Sequence, residues 1–151
     1  MAHPTGASVG TVLRLPAAAH AGLLAHLLGC FPLEGCGLLA GSTSGGVTDV
    51  AWFEPCENVA ASSKVYTVDP RCHLAADRRA EDEGIEIVGV VHSHTHTEPY
   101  PSPTDIAQAP DPAWHYVIVS LRDDDPMLRS WRMVDGQVSE EPVVVVGGTS
   151  G

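Results

Sequence analysis

Residues 85–94 read IEIVGVVHSH, and this run decides the fold. It follows Gly84, is almost continuously apolar and is rich in β-branched residues. Such a run is typical of a strand that is covered on both of its faces. We therefore predict the central strand of a sheet at this position.

Helices and further strands are predicted on both sides of this strand. One helix is predicted over Leu15–Phe31, where four leucines share a face and Pro32 ends the helix. A second helix runs from about Pro70 to Glu83, with Asp69 as its cap. The other predicted strands are LEGCGLLAG from about Gly35, VTDVAWFEPCEN, HYVIVSL from His115, LRSWRMV from Leu128 and one edge segment within VSEEPVVVVGGTSG. This mixture predicts an α/β fold.

The length of 151 residues suits a single domain. We place it at residues 13–146, between an N-terminal tail (1–12) and a C-terminal tail (147–151) that we expect to be mobile. The formal charge of −11 disfavours a nucleic-acid partner. No apolar run approaches the roughly 20 residues of a membrane helix, so we expect no membrane span.

The four cysteines form no CxxC pair, and no basic flank precedes a long apolar run at the N-terminus. We therefore expect reduced thiols and a cytoplasmic protein. Cys36 is predicted to be a buried small residue rather than a nucleophile or a metal ligand.

His92 and His94 are two residues apart in the central strand, so their imidazoles project from the same face. Asp105 follows a proline-rich loop, in the first turn of a helix that Ser102 and Pro103 predict. Two histidines and one carboxylate leave a fourth position for water, as a catalytic zinc site requires. His92, His94 and Asp105 are the predicted metal ligands.

Glu34 and Ser102 are the predicted catalytic residues. Glu34 lies between Leu33 and Leu38, in an apolar environment that should raise the pKa of its carboxyl towards a value useful for proton transfer. Ser102 carries a hydroxyl that can donate a hydrogen bond to a developing oxyanion. Capping the helix is compatible with this role.

The spacing of His92, Ser93 and His94, then Ser102 and Asp105, with Glu34 upstream, closely resembles the JAMM/MPN+ metalloprotease family. The resemblance covers roughly residues 13–146, including Asn58, Tyr66 and Asp69, and is strongest to short bacterial members that act on ubiquitin-like sulfur-carrier proteins. It implies a cytidine-deaminase-like β-sheet flanked by helices and one zinc ion per chain. It also implies cleavage after the C-terminal Gly-Gly of a carrier, releasing cysteine or a short extension. A homodimer is compatible with this interpretation.

Several alternatives stay open. Without the insertions of the eukaryotic deubiquitinating members, specificity for ubiquitin chains is disfavoured, but isopeptidase activity on ubiquitin-like conjugates is an alternative. A catalytically silent MPN scaffold would be expected to lose ligands. Zinc deaminases need HxE and PCxxC, and metallo-β-lactamase-like enzymes need an Asp at the position of His96. His96 is about 13 Å of strand from His92, too far to share one ion, and is predicted to lie at the rim.

Overall fold

A mixed eight-stranded sheet with helices on both faces forms the structure, and this confirms the predicted α/β class. The computed structural model describes residues 10–147, so most of the two predicted tails lies outside it. The strand order is β7-β6-β5-β4-β2-β3-β1-β8. The strands are β1 (Val12–Pro16), β2 (Cys36–Ser44), β3 (Val47–Cys56), β4 (Glu86–His94), β5 (His115–Ser120), β6 (Met127–Val134), β7 (Gln137–Glu141) and β8 (Val143–Val146). The helices are α1 (Ala17–Cys30), α2 (Pro70–Asp82) and α3 (Pro103–Ala107).

Strand β4 is the predicted central strand. It lies between β2, to which it is antiparallel, and β5, to which it is parallel. Every residue from Ile87 to His94 is buried. A Cβ atom at Gly89 would lie 2.3 Å from the carbonyl oxygen of His115, so glycine permits the close approach of β5.

Two apolar clusters cover the faces of the sheet. Helix α1 contributes Leu23 and Leu27 to a cluster with Val91 and Val117 on one face. Helix α2 contributes Ala76 to the cluster on the other face. Fully burying a leucine contributes about 1.5–3 kcal/mol, so these contacts fix α1 against the sheet.

The predicted start of α1 was wrong, because Leu15 and Pro16 belong to strand β1. In β1 the side chains of Leu13 and Leu15 are fully buried, while Arg14 points outward and pairs with Asp49 at 2.8 Å. This period of two is that of a strand. Helix α1 begins only at Ala17.

The C-terminal segment forms two strands where one was predicted. Pro142 separates β7 from β8, and β8 pairs in parallel with β1 at the opposite edge of the sheet. A proline cannot donate a ladder hydrogen bond, so it marks the point where the chain leaves one edge for the other.

The expectation of four reduced thiols was wrong for two of them. Cys56 at the end of β3 and Cys72 in the first turn of α2 form a disulfide, with their Cα atoms 5.9 Å apart. The fold brings two residues 16 positions apart within bonding distance, which spacing alone does not reveal. Cys30 and Cys36 are free, and Cys36 is fully buried as predicted.

A buried polar network joins the two halves of the sheet. The imidazole of His115 bonds to Glu141 through Nδ1 and to Thr48 through Nε2. Ser130 and Thr11 also donate hydrogen bonds to the Glu141 carboxylate. Each polar group of this network therefore has a partner. Within residues 10–147, no helix is both long and apolar enough to cross a bilayer.

Candidate metal centre

His92, His94 and Asp105 meet at the end of β4. Each offers one ligand atom, and these atoms lie within 4.8 Å of one another. Oδ2 of Asp105 lies 3.3 Å from Nε2 of His92 and 3.1 Å from Nε2 of His94. The structure therefore brings together the three residues that the sequence predicted as ligands.

Asp105 is held in place by the start of α3. Its backbone N–H donates to the Ser102 hydroxyl oxygen at 3.0 Å, and its Oδ2 accepts from the Ser102 backbone N–H at 2.8 Å. This is the reciprocal capping box, with Pro103 in the first turn. The cap fixes the carboxylate so that the same oxygen faces both histidines.

The hydrogen bonding of the two histidines fits a metal ion. Both ring nitrogens of His92 are buried and have no hydrogen-bond partner among the described residues. Nδ1 of His94 lies 2.9 Å from the carbonyl oxygen of Glu98, which only accepts, so Nδ1 carries the proton. Nε2 of His94 then faces the Asp105 carboxylate at 3.1 Å, with room for a proton or a metal ion shared between them. A metal ion bound by Nε2 of His92, Nε2 of His94 and the Asp105 carboxylate would satisfy these three groups at once.

The electrostatics of the three residues support this assignment. Burial lowers the pKa of His92, which favours the neutral form that binds metals. Burial would raise the pKa of Asp105, but the contacts with the His92 and His94 imidazoles outweigh it and lower this pKa strongly. Burial opposes the charge on His94, yet the hydrogen bond to Asp105 raises its pKa above the ordinary value. The site therefore favours an ionised Asp105 beside a neutral His92.

Glu34 lies at the entrance of β2, beside the three ligands. Its backbone N–H donates to the Ser62 carbonyl at 2.9 Å, and its own carbonyl accepts from Asn58 Nδ2 at 3.0 Å. Its side chain is 5% exposed. Burial raises the pKa of Glu34 to about 7, with His94 opposing and Asp105 adding to the shift. The predicted direction of this shift is confirmed.

The loop at residues 57–69 was not predicted to position the site. Tyr66 stacks on the imidazole of His92, with ring centroids 4.2 Å apart, and Asn58 and Ser62 hold the backbone of Glu34. The only sequence signal was the resemblance of Asn58 and Tyr66 to the family pattern, which gave no role. The Cys56–Cys72 disulfide brackets this loop.

A groove of about 410 Å³ borders the candidate ligand His94. Glu34 and Ser102 border it as well, so both predicted catalytic residues share this groove with one of the three candidate ligands. His96 is exposed and also borders the groove, as a rim residue. The remaining residues of its lining are Ser63, Lys64, Thr95 and Thr97.

Two histidines from the end of a buried strand and an aspartate from a short helix form a group that can hold a metal ion with three protein ligands, and the buried Glu34 lies close to it. Residues 16–134 match the family described as prokaryotic homologs of the JAB domain. The chain belongs to this family, and the predicted JAMM/MPN resemblance is confirmed.

Two relatives and one solved structure illustrate the similarity. The chain is 43% identical over 125 residues to a CysO-cysteine peptidase from Mycobacterium tuberculosis, covering 82% of this chain and 84% of the relative. It is 36% identical over 113 residues to a desampylase from Haloferax volcanii, covering 72% and 80%. A solution structure of a Desulfitobacterium hafniense protein superposes with a TM-score of 0.83 at 30% identity, covering 91% and 95%. These relatives support the prediction of a hydrolase.

Proposed function

We propose that the chain is a zinc-dependent peptidase that hydrolyses the bond after the C-terminal Gly-Gly of a ubiquitin-like sulfur-carrier protein. The convergence of His92, His94 and Asp105, with Glu34 close to His94 and Asp105, carries the proposal. The similarity to the CysO-cysteine peptidase supports the substrate class. The product would be the carrier with a free glycine carboxylate and either cysteine or a short peptide, in cytoplasmic synthesis of cysteine or another sulfur metabolite.

His92, His94 and Asp105 would hold the zinc. When bound, zinc supplies the Lewis acidity that lowers the pKa of a water molecule and polarises the scissile carbonyl. The Nδ1–H of His94 donates to the Glu98 carbonyl and so orients this ring. Tyr66 does the same for His92 by stacking on it.

Glu34 would carry the proton. A carboxyl group with a pKa of about 7 accepts a proton from the attacking water and returns it to a leaving amine near neutral pH. Water adds to the carbonyl carbon, the C–N bond breaks, and the proton held by Glu34 passes to the nitrogen. The two backbone hydrogen bonds of Glu34 fix where this transfer occurs.

Ser102 would stabilise the oxyanion. Its oxygen already accepts a hydrogen bond from the backbone of Asp105, but its own O–H makes no hydrogen bond within residues 10–147. The hydroxyl is therefore free to donate into the groove that it borders. Such a donor stabilises the charge that develops as water attacks.

A Gly-Gly tail suits this groove. Glycine has no Cβ, so its backbone can approach the ligand group more closely than that of any other residue. An extended tail can also enter a groove as an added strand, where main-chain groups supply the binding. This is the physical reason to expect Gly-Gly rather than a bulky pair before the bond that is cut.

Isopeptidase activity on ubiquitin-like conjugates is the second candidate, and the similarity to the desampylase favours it. The bond is again an amide, with a lysine side chain as the leaving amine. The two functions differ only in the group that is attached to the carbonyl of the second glycine.

The test uses a ubiquitin-like carrier that bears one cysteine after Gly-Gly, and the reaction is monitored by intact mass. The purified chain should remove only the cysteine, a chelator should abolish this, and added zinc should restore it. Asp105→Ala should lose most of the bound zinc, because removing one of three ligands weakens the site severely. Gln108→Ala, an exposed neighbour on the same segment, should keep it.

Three results would count against the proposal in different ways. A wild type that binds no zinc would overturn the metal assignment. A zinc-bound protein that cleaves only isopeptide-linked conjugates would favour the second candidate. If the protein binds zinc but cleaves neither substrate, the chain would be a catalytically silent scaffold.

A further inference from the structure

One exposed cation borders the groove beside the ligand group. Lys64 is the only lysine of a chain whose formal charge is −11. It lines the same groove as Glu34, His94 and Ser102. A cation at this rim can attract an anionic group of a substrate that enters the groove.

The backbone around Lys64 is tied to the site. The Lys64 N–H donates to the Ser62 hydroxyl oxygen at 3.0 Å, and the Ser62 carbonyl accepts from the N–H of Glu34 at 2.9 Å. The Ser63 carbonyl accepts from the Thr95 hydroxyl at 3.2 Å, one residue beyond the ligand strand. These hydrogen bonds fix the backbone of Lys64 relative to Glu34.

The charge of Lys64 has no partner within residues 10–147, where it forms no ion pair with a carboxylate. Most arginines of this part of the chain, in contrast, form ion pairs with carboxylates. These arginines are Arg14, Arg71, Arg79, Arg122 and Arg129. Lys64 is thus available to a ligand that enters this groove.

We propose that Lys64 binds the free α-carboxylate of a single amino acid that follows Gly-Gly, and so selects carriers with a one-residue C-terminal adduct. This inference rests on the proposed function. The two glycines carry no charged side chain, so the anion nearest to the bond that is cut is the terminal carboxylate of the leaving residue. A lysine of a conjugated protein presents no such carboxylate. Lys64 is a specificity-determining residue that favours amino-acid release over isopeptide cleavage.

The experiment compares two substrates that differ in one group. One is the carrier with cysteine after Gly-Gly, and the other is the same carrier ending in cysteine amide, which lacks the negative charge. Each is assayed for kcat/KM with the wild type, Lys64→Gln and Lys64→Arg. Arg78→Gln is the control, because Arg78 is an exposed cation on α2 and does not border the groove.

The wild type should prefer the acid over the amide by about fivefold or more, the range of a charge-assisted contact. Lys64→Gln should abolish this preference by lowering kcat/KM for the acid substrate alone. Lys64→Arg and Arg78→Gln should retain it. Rising salt should reduce the preference, since the contact is exposed. Titration calorimetry in the Glu34→Gln background, which we expect to cleave about 10²-fold more slowly, should show that Lys64→Gln weakens binding of the acid and not of the amide.

Equal cleavage of acid and amide by the wild type would overturn the role of Lys64 and leave the proposed function intact. A Lys64→Gln variant that loses both substrates equally would likewise overturn it. Failure of the wild type on both substrates would instead overturn the proposed function.

Discussion

Asn58→Ala should destabilise the protein more than any comparable change of an exposed polar residue. The side chain of Asn58 uses its full hydrogen-bonding capacity. Nδ2 donates to the carbonyls of Glu34 and Val65, both at 3.0 Å. Oδ1 accepts from the backbone N–H groups of Ala60 and Thr67, at 3.0 and 2.9 Å. Two carbonyls on one side and two N–H groups on the other determine which way the amide points.

The expected decrease in the free energy of unfolding follows from these four hydrogen bonds. Each hydrogen bond contributes a net stabilisation of about 1 kcal/mol, which would give about 4 kcal/mol for the four. Where the loop is exposed, hydrogen bonds to water replace part of this stabilisation. We therefore expect the free energy of unfolding to fall by ~2–3 kcal/mol. Asn58→Asp should cost at least as much, because it places a carboxylate oxygen against the carbonyls of Glu34 and Val65. Urea unfolding monitored by tryptophan fluorescence measures both variants.

Gln137→Ala is the matched control, since Gln137 is exposed and its amide makes no hydrogen bond within the described residues. The Gln137→Ala variant should lose no more than about 0.5 kcal/mol of its free energy of unfolding. If Asn58→Ala unfolds at the same urea concentration as this control, the hydrogen bonds of Asn58 do not organise the loop. The inference that this loop positions Glu34 would then also be wrong.

Three further changes have defined outcomes. Glu34→Gln should keep its zinc by elemental analysis yet cleave the carrier about 10²-fold more slowly, and an active variant would contradict the mechanism. Cys72→Ala should lower the free energy of unfolding by about 2–4 kcal/mol in the absence of reductant and by little in its presence. Burial raises the pKa of Glu141, but hydrogen bonds from His115 and two hydroxyls outweigh it and lower the pKa below 4.5. Stability from this carboxylate is therefore present above about pH 4.5 and lost in acid, and Glu141→Gln should flatten that loss in acid unfolding curves.

Local patterns were sufficient to predict which three residues, His92, His94 and Asp105, come together. The alternation of His92 and His94 comes from the period of a strand, and the capping box places Asp105 in the first turn of α3. Both are relations within a few residues. The central strand was predictable for the same reason, because its apolar run is continuous.

Long-range pairing was not predictable from one sequence. Strand β1 joins β3 and β8 in parallel, and its five residues look like the beginning of the helix after it. The Cys56–Cys72 bond depends on how α2 packs at the end of β3. The role of Asn58 depends on a loop that closes over Glu34. Each of these contacts joins segments whose proximity only the folded chain determines.

The distinction between ligand and base also comes from the surroundings and not from residue type. Glu34 and Asp105 are both carboxylic acids with largely buried side chains, and burial raises the pKa of each. Asp105 lies against the imidazoles of His92 and His94 and accepts a hydrogen bond from the backbone of Ser102, and these contacts outweigh burial and keep it ionised. Glu34 receives no such donors among the described residues, so burial prevails and its pKa rises to about 7. Two carboxyl groups whose pKa values are pushed apart in this way suit the two roles that we propose, the ionised Asp105 as ligand and Glu34 as proton carrier.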